Sequence, residues 1–243
     1  MFAPRLALAS LSGESDAAWA RVGADHAGAA FLGGIALDDA TRAAARRMVN
    51  DRDRTEFLPD DPLAFVAREL DALADAPVRP AFNVRATEAD ALRAAAELCA
   101  DRGAICEVNA HCRQDEMCAA GAGESLLREG DRLAGLVAAA AESGPDVSVK
   151  VRAEVSGVDL PALAARLVDA GADAIHVDAM DSEPAVADVA DATDCFLIAN
   201  NGVRGAETAR EYFDYGADAV SVGRPSDDPA VLARVATGLP NDS

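Results

Sequence analysis

Eight short apolar runs, separated by alanine-rich amphipathic stretches, constrain the fold of this chain more than any other feature of its sequence. The runs are Phe2–Ala9, Ala29–Ala36, Val78–Val84, Ala104–Asn109, Val147–Ala153, Ala174–Asp178, Phe196–Ala199 and Ala219–Gly223. Runs that are short, apolar and bounded by turn residues are typical of parallel strands buried on both faces. The stretches between them include Asp61–Ala74, Glu88–Asp101, Glu124–Ala141 and Leu160–Ala170, whose apolar spacing predicts helices with one buried face.

Strands that alternate with helices imply right-handed crossovers and a parallel sheet. Eight such units in 243 residues favour closure into a single (βα)₈ TIM barrel. An open doubly wound sheet is the alternative, but no Gly-x-Gly-x-x-Gly pattern follows the first run. Gly103, Gly171 and Gly216 stand just before strands, where a helix commonly ends on a residue with positive φ.

The composition is consistent with one domain over residues 1–243. Apolar residues make up 51% of the chain and aromatic residues 4%, so the core must consist mainly of alanine, valine, leucine and isoleucine. No apolar run of about 18 residues occurs, so no membrane span is predicted. Because the chain does not begin with a basic and then apolar leader, a cytoplasmic protein is expected.

The charge is unusual, with 42 acidic residues against 22 basic ones and a net charge of −20. Lys150 is the only lysine. A strongly acidic surface almost free of lysine is typical of adaptation to multimolar salt, where a large net charge is screened, so we expect a halophilic protein. This explanation weakens the argument that so acidic a chain avoids nucleic acid. The odd number of cysteines, five, predicts free thiols, and their spacing is not that of a metal site.

The chemistry of a TIM barrel lies at the carboxyl ends of its strands, and several polar residues fall there. The fourth run ends in Asn109 and is followed by Cys112, whose thiol can act as a general acid or be incidental to a loop. Lys150 alternates with valines on the fifth run, so a buried ammonium there needs an anionic or polar partner. His176 alternates in the same way on the sixth run, where a core histidine is the commoner interpretation.

The last two runs lead into glycine-containing loops. Asn201-Gly202 follows the seventh run and Gly223-Arg224 ends the eighth. In many TIM barrels the loops after these two strands hold a phosphate through backbone N–H groups, and Arg224 can add a charge-assisted pair. The sequence therefore predicts that a phosphate-bearing cofactor binds at these two loops.

The segment from Asn109 through Cys112 to Gly123, Leu126 and Leu127 resembles the signature of the tRNA-dihydrouridine synthases. The resemblance continues in order along the barrel. Further matching positions are Ala3-Pro4, Asn83, Lys150-Val151-Arg152, His176, Asn201-Gly202 and Gly223-Arg224.

This resemblance implies an FMN-dependent enzyme that reduces uridine in tRNA, with NADPH or NADH reducing the flavin. It implies three catalytic residues: Cys112 as the general acid, and Lys150 and His176 in contact with the flavin, which they polarise. It also implies that FMN is bound by the following residues: Ala3, Pro4, Asn83, Asn109, Lys150, His176, Asn201, Gly202, Gly223 and Arg224.

The chain departs from the family pattern at several of these positions. Where the family has Gly-Cys-Pro, this chain reads His111-Cys112-Arg113, and Asp178 replaces an arginine. The sequence also predicts no separate helical RNA-binding domain after the barrel. Two alternatives therefore stay open: an FMN oxidoreductase acting on a free pyrimidine or other small molecule, and a flavin- or phosphate-binding barrel without redox turnover.

Overall fold

The computed structural model describes residues 1–52 and 54–240, and its centre is a closed barrel of eight parallel strands in sequence order. The strands are β1 (Leu6–Leu8), β2 (Ala29–Ala36), β3 (Arg79–Arg85), β4 (Ile105–Asn109), β5 (Val147–Arg152), β6 (Ala174–Asp178), β7 (Phe196–Asn200) and β8 (Ala219–Val222). β1 pairs with β8 as well as with β2, which closes the sheet. The predicted (βα)₈ TIM barrel is therefore confirmed.

Helices follow the strands and cover the outside of the barrel. They are α1 (Ala17–Gly23), α2 (Asp39–Arg52), α3 (Pro62–Asp71), α4 (Ala89–Ala100), α5 (Asp115–Ala119), α6 (Ser125–Arg128), α7 (Gly130–Ala141), α8 (Leu160–Asp169), α9 (Ala185–Ala192), α10 (Ala206–Asp214) and α11 (Pro229–Ala236). A 3₁₀ turn, Arg224–Asp227, follows β8. In the described part of the chain, no helix combines the length and the apolar character that a membrane crossing requires.

The glycines before strands act as expected, one helix has a capping residue that was not predicted, and one predicted helix is divided. Asp61 caps α3 by accepting a hydrogen bond from the Ala64 N–H at 3.0 Å. Gly171 and Gly216 adopt φ values of 104° and 89°, which lets the chain turn from a helix into the next strand. The predicted helix Glu124–Ala141 is interrupted at Glu129, whose backbone (φ −112°, ψ 52°) is not helical.

The inside of the barrel is apolar at the amino ends of the strands and polar further along them. Small and branched residues fill the apolar layer, where the Phe31 ring is the bulkiest fully buried side chain. The next layer is polar, although its members are buried. They are Asn83, Glu107, Asn109, Ser148, Lys150, His176 and Ser221. A polar layer inside a barrel requires internal hydrogen-bond partners, so the fold forces these side chains together.

A buried ion pair lies at the carboxyl end of β3. The Arg85 guanidinium donates to Glu56, in the segment after α2, at 2.6 Å, and both side chains are at most 2% exposed. Arg85 also donates to the Ser12 hydroxyl, in the segment after β1. These contacts tie two of the loops around the barrel mouth to β3.

Candidate active site

A cavity of about 520 Å³ opens at the carboxyl ends of the strands. This size falls in the range of small-molecule and cofactor sites. It is lined by residues that follow β1, β4, β6, β7 and β8, together with side chains from inside the barrel. The lining residues are Ala9, Ser10, Leu11, His111, Lys150, Asp178, Met180, Asp181, Asn200, Asn201, Gly202, Val203, Arg204, Ser221, Gly223, Arg224 and Pro225.

Lys150 reaches this cavity from the inner face of β5, where it lies level with Asn109 on β4 and His176 on β6. The side chain is 1% exposed, and among the described residues no hydrogen bond is made by its ammonium. Burial lowers the pKa of Lys150, and the nearby carboxylates of Glu107 and Asp178 oppose that shift. A buried, unpaired ammonium on a cavity wall is the group that an anionic or carbonyl-rich ligand would satisfy.

The two glycine-containing loops also form part of the cavity wall. A Cβ placed on Gly202 or Gly223 would meet no atom within 4 Å, so both glycines border open space. Arg204 and Arg224 line the same wall, and neither guanidinium forms an ion pair with a described carboxylate. Open backbone beside two unpaired guanidinium groups fits the phosphate of FMN.

Glu107, which sequence reasoning missed, is the centre of the polar layer. Its carboxylate accepts hydrogen bonds from Asn83 at 2.7 Å and from Ser148 at 3.1 Å, and it contacts His176 Nδ1 at 2.7 Å. Burial alone would raise the pKa of Glu107. The His176 partner, the Lys150 ammonium and the Asn83 hydrogen bond outweigh that effect and lower it to about 2. An acidic residue two positions before Asn109 on an apolar strand was the available signal.

His176 uses both ring nitrogens inside the barrel. Nδ1 contacts Glu107, and Nε2 lies 2.8 Å from the Ser221 hydroxyl. The ring is fully buried and does not line the cavity, whereas Ser221 does. Burial and the Lys150 ammonium lower the pKa of His176. In this arrangement His176 positions Glu107 and Ser221, and a flavin contact by the imidazole itself stays a prediction.

Asn83 and Asn109 extend the same hydrogen-bond chain toward the loop after β4. The Asn109 side chain donates to Asn83 Oδ1 at 2.8 Å, and its own Oδ1 accepts from the backbone N–H of Cys112 at 3.1 Å. Both asparagines are buried, and neither lines the cavity. They therefore connect Glu107 to the backbone of the loop that carries His111 and Cys112.

Cys112 and His111 point to different surroundings. The Cys112 side chain is 8% exposed and packs in an apolar cluster that includes Ala44, Met48 and Met117. It is not among the residues that line the cavity, whereas His111 is. The general-acid role of Cys112 is therefore not supported by a contact with the cavity and stays a prediction.

Ala3 and Pro4 lie at the opposite end of the barrel. They precede β1, and both approach Gly28, which comes just before β2. The neighbouring Phe2 ring packs on Phe196, the first residue of β7, with ring centroids 5.1 Å apart. Ala3 and Pro4 therefore lie away from the cavity, because the first strand begins at Leu6 rather than Phe2, and their contact with the cofactor stays a prediction. Ala9, Ser10 and Leu11 occupy the carboxyl end of β1 instead.

The described residues contain no group of three or more histidine, cysteine, aspartate or glutamate side chains suited to holding a metal ion. The polar groups at the cavity are cationic side chains, serine hydroxyls, asparagine amides and the carboxylates of Asp178 and Asp181. These groups are suited to hydrogen bonding and charge pairing with an organic ligand.

Two comparisons identify related sequences. The sequence profile of the family described as dihydrouridine synthase matches residues 64–242. An uncharacterized protein of Methanocaldococcus jannaschii is 27% identical over 233 residues, an alignment that covers 90% of this chain and 88% of that protein.

Solved structures share the fold at low sequence identity. Morphinone reductase in complex with tetrahydroNAD has a TM-score of 0.65 and 15% identity, with 98% of this chain and 88% of that chain covered. A FabK mutant from Thermotoga maritima has a TM-score of 0.58 and 14% identity over 90% of this chain, which spans 60% of FabK. 3-Hexulose-6-phosphate synthase has a TM-score of 0.58 and 16% identity, with coverages of 97% and 100%. Similarities of this kind show a common barrel architecture.

Proposed function

The chain belongs to the dihydrouridine synthase family, and we propose that it is an FMN-dependent oxidoreductase that reduces uridine in tRNA with electrons from NADPH or NADH. The observation that carries this proposal is the cavity at the strand ends, which Lys150 lines together with the glycine loops after β7 and β8. FMN bound there would supply hydride chemistry. The backbones of Gly202 and Gly223 would hold the phosphate together with the Arg224 side chain. The Lys150 ammonium would donate a hydrogen bond to the flavin ring.

A second candidate is a reductase of the same type that acts on a free pyrimidine or another small molecule. It is favoured by Asp178 and Asp181, whose acidic side chains lie at the cavity wall. Carboxylates at the entrance would repel the phosphates of an RNA substrate, although high salt would screen that repulsion.

The function is tested first by the absorption spectrum of the purified protein, in which bound FMN gives a yellow colour. The flavin is then reduced with NADPH or NADH, and its reoxidation is followed in a single turnover in high salt. Unmodified tRNA as the effective oxidant supports the first candidate, and uridine monophosphate alone supports the second. A colourless protein that does not take up added FMN would contradict both.

Gly223→Asp is expected to remove the cofactor. The new carboxylate has room, because a Cβ at Gly223 meets nothing within 4 Å, and it would stand where the phosphate is proposed to bind. A juxtaposition of like charges costs several kcal/mol, which corresponds to roughly 100-fold weaker FMN binding or more. The measurement is FMN affinity by fluorescence quenching.

Gly205→Asp is the matched control. Its Cβ also meets open space, but Gly205 is not among the cavity residues and precedes α10, where aspartate is a favourable cap. It should retain FMN. Full retention of FMN by Gly223→Asp would show that the phosphate does not bind at these loops.

A further inference from the structure

The loop after β4 presents His111 to the ligand space, although the family resemblance assigns the chemistry of this loop to Cys112. His111 lines the main cavity and also an adjoining groove of about 490 Å³ at its rim. Leu11, Ser10 and Arg224 are shared by both spaces, and Arg54 lines the groove. His111 therefore stands where a ring bound in the cavity would meet a second molecule entering through the groove.

Several contacts fix this orientation of the loop. The Cys112 backbone N–H donates to Asn109, and its carbonyl accepts from the Glu124 N–H at 2.8 Å and from the Cys118 thiol at 3.5 Å. A Cβ at Gly123 would come within 2.2 Å of that carbonyl, so the following segment packs closely on Cys112. The backbone of Cys112 is held on both sides while its side chain stays in the apolar cluster.

The surroundings of His111 determine its protonation. Its Nδ1 is buried without a hydrogen-bond partner among the described residues, whereas Nε2 is not a buried atom. A proton on Nδ1 would be a buried donor without an acceptor, so the favoured neutral form carries its proton on Nε2. Burial and the Lys150 ammonium lower the pKa of His111 to about 3, with His176 adding to the shift and Asp178 and Glu107 opposing it.

We propose that His111 is a catalytic residue whose Nε2–H donates a hydrogen bond to a ring carbonyl of the substrate, one conjugated to the C=C bond that is reduced. The inference rests on the proposed function. It gives His111 the place beside the substrate that the family resemblance gives to the Cys112 thiol. The substrate class is a cyclic α,β-unsaturated carbonyl compound, which includes the uracil ring.

The proposed reaction is a conjugate addition, in which one hydride and one proton add across the C=C bond. Reduced FMN, when bound, would supply hydride to the β-carbon of the substrate, and the C=C electron pair would move so that negative charge develops on the carbonyl oxygen. The His111 hydrogen bond stabilises that charge, as a neutral imidazole can. A proton from solvent then adds to the α-carbon, which completes the reduction of one C=C bond by two electrons and leaves the flavin oxidised.

The kinetic test compares three variants after FMN loading has been confirmed by spectrum. His111→Ala should slow flavin reoxidation by roughly 10²- to 10³-fold, the usual cost of removing one such donor. His111→Gln, whose amide can place an N–H near the Nε2 position, should recover most of that loss. His26→Ala is the matched control, because His26 precedes β2 at the amino end of the barrel. The oxidants are unmodified tRNA, uridine monophosphate and 2-cyclohexenone.

Cys112→Ala tests whether the thiol, rather than His111, takes part in the chemistry. Because its thiol lies outside the cavity, it should slow reoxidation less than His111→Ala does. The reverse order would assign the chemistry to Cys112 and overturn the inference. A second contradicting outcome concerns pH. If the reoxidation rate of wild type falls as the pH rises through the neutral range, while that of His111→Gln does not, His111 acts as a protonated acid and the inference is overturned. Failure of all three oxidants to reoxidise the bound flavin would also overturn it.

A second measurement is independent of activity. NMR of protein labelled with ¹⁵N-histidine should show His111 as the neutral Nε2–H form from pH 5 to 9, with the signal assigned by its absence in His111→Gln. Titration of His111 near neutral pH, or a proton on Nδ1, would overturn the inference while leaving the flavin assignment intact. A colourless protein would instead contradict the proposed function, and the inference with it.

Discussion

Lys150→Met is expected to weaken FMN binding by roughly 10- to 100-fold while the barrel stays folded. The ammonium is buried on the cavity wall without a hydrogen-bond partner in the described part of the chain. A hydrogen bond from a charged group contributes about 1.5–3 kcal/mol, and methionine retains the volume of the side chain without its charge. Removal of the ammonium is therefore expected to lower the affinity for FMN and to leave the packing of the barrel unchanged.

FMN affinity is measured by fluorescence quenching, with the unfolding midpoint recorded for each variant. Lys150→Arg should be nearly as damaging, because a planar guanidinium does not replace a compact ammonium in a closed space. Arg234→Met, which removes one positive charge from the exposed face of α11, is the control and should bind FMN normally. Normal FMN binding by Lys150→Met would show that the ammonium does not contact the cofactor.

Glu107→Ala is expected to lower the free energy of unfolding by about 3–5 kcal/mol, the usual cost of breaking a buried charge pair. The substitution leaves Asn83, Ser148 and His176 without their shared acceptor. It also removes the more strongly acting of the two negative charges that compensate the Lys150 ammonium. Glu107→Gln should cost less, because an amide oxygen can still accept the Asn83 hydrogen bond.

The lowered pKa of Glu107 also predicts the direction in which the free energy of unfolding changes at acid pH. The folded-state pKa of Glu107 is lowered from 4.5 to about 2, so its stabilising contribution is fully present above pH 4.5. That contribution is lost as the pH falls from 4.5 toward 2. Denaturant unfolding should therefore show a steeper loss of stability over this window in wild type than in Glu107→Gln. Parallel curves for the two proteins would mean that the pKa of Glu107 is not lowered on folding, and a relative gain of wild-type stability toward low pH would mean that the carboxyl is protonated in the folded state.

The sequence by itself determined the barrel. Eight apolar runs that alternate with one-faced helices favour a closed parallel sheet, which buries both. The glycines Gly171 and Gly216 mark the ends of helices. The sequence also marked Lys150, because a lone lysine on a buried strand is conspicuous among arginines, and the two glycine loops, because strand ends converge on one side of a barrel.

Only the tertiary structure decided which polar side chains share a space and which way each one faces. Local pattern does not fix where a strand begins, so the run from Phe2 concealed the fact that Ala3 and Pro4 lie at the amino end of β1. Nor does it reveal that Glu107 joins four strands through hydrogen bonds, since its partners lie up to 69 positions away. His111 and Cys112 are adjacent in sequence, and closure of the barrel with packing of α2 and α5 turns one toward the cavity and the other toward the apolar cluster.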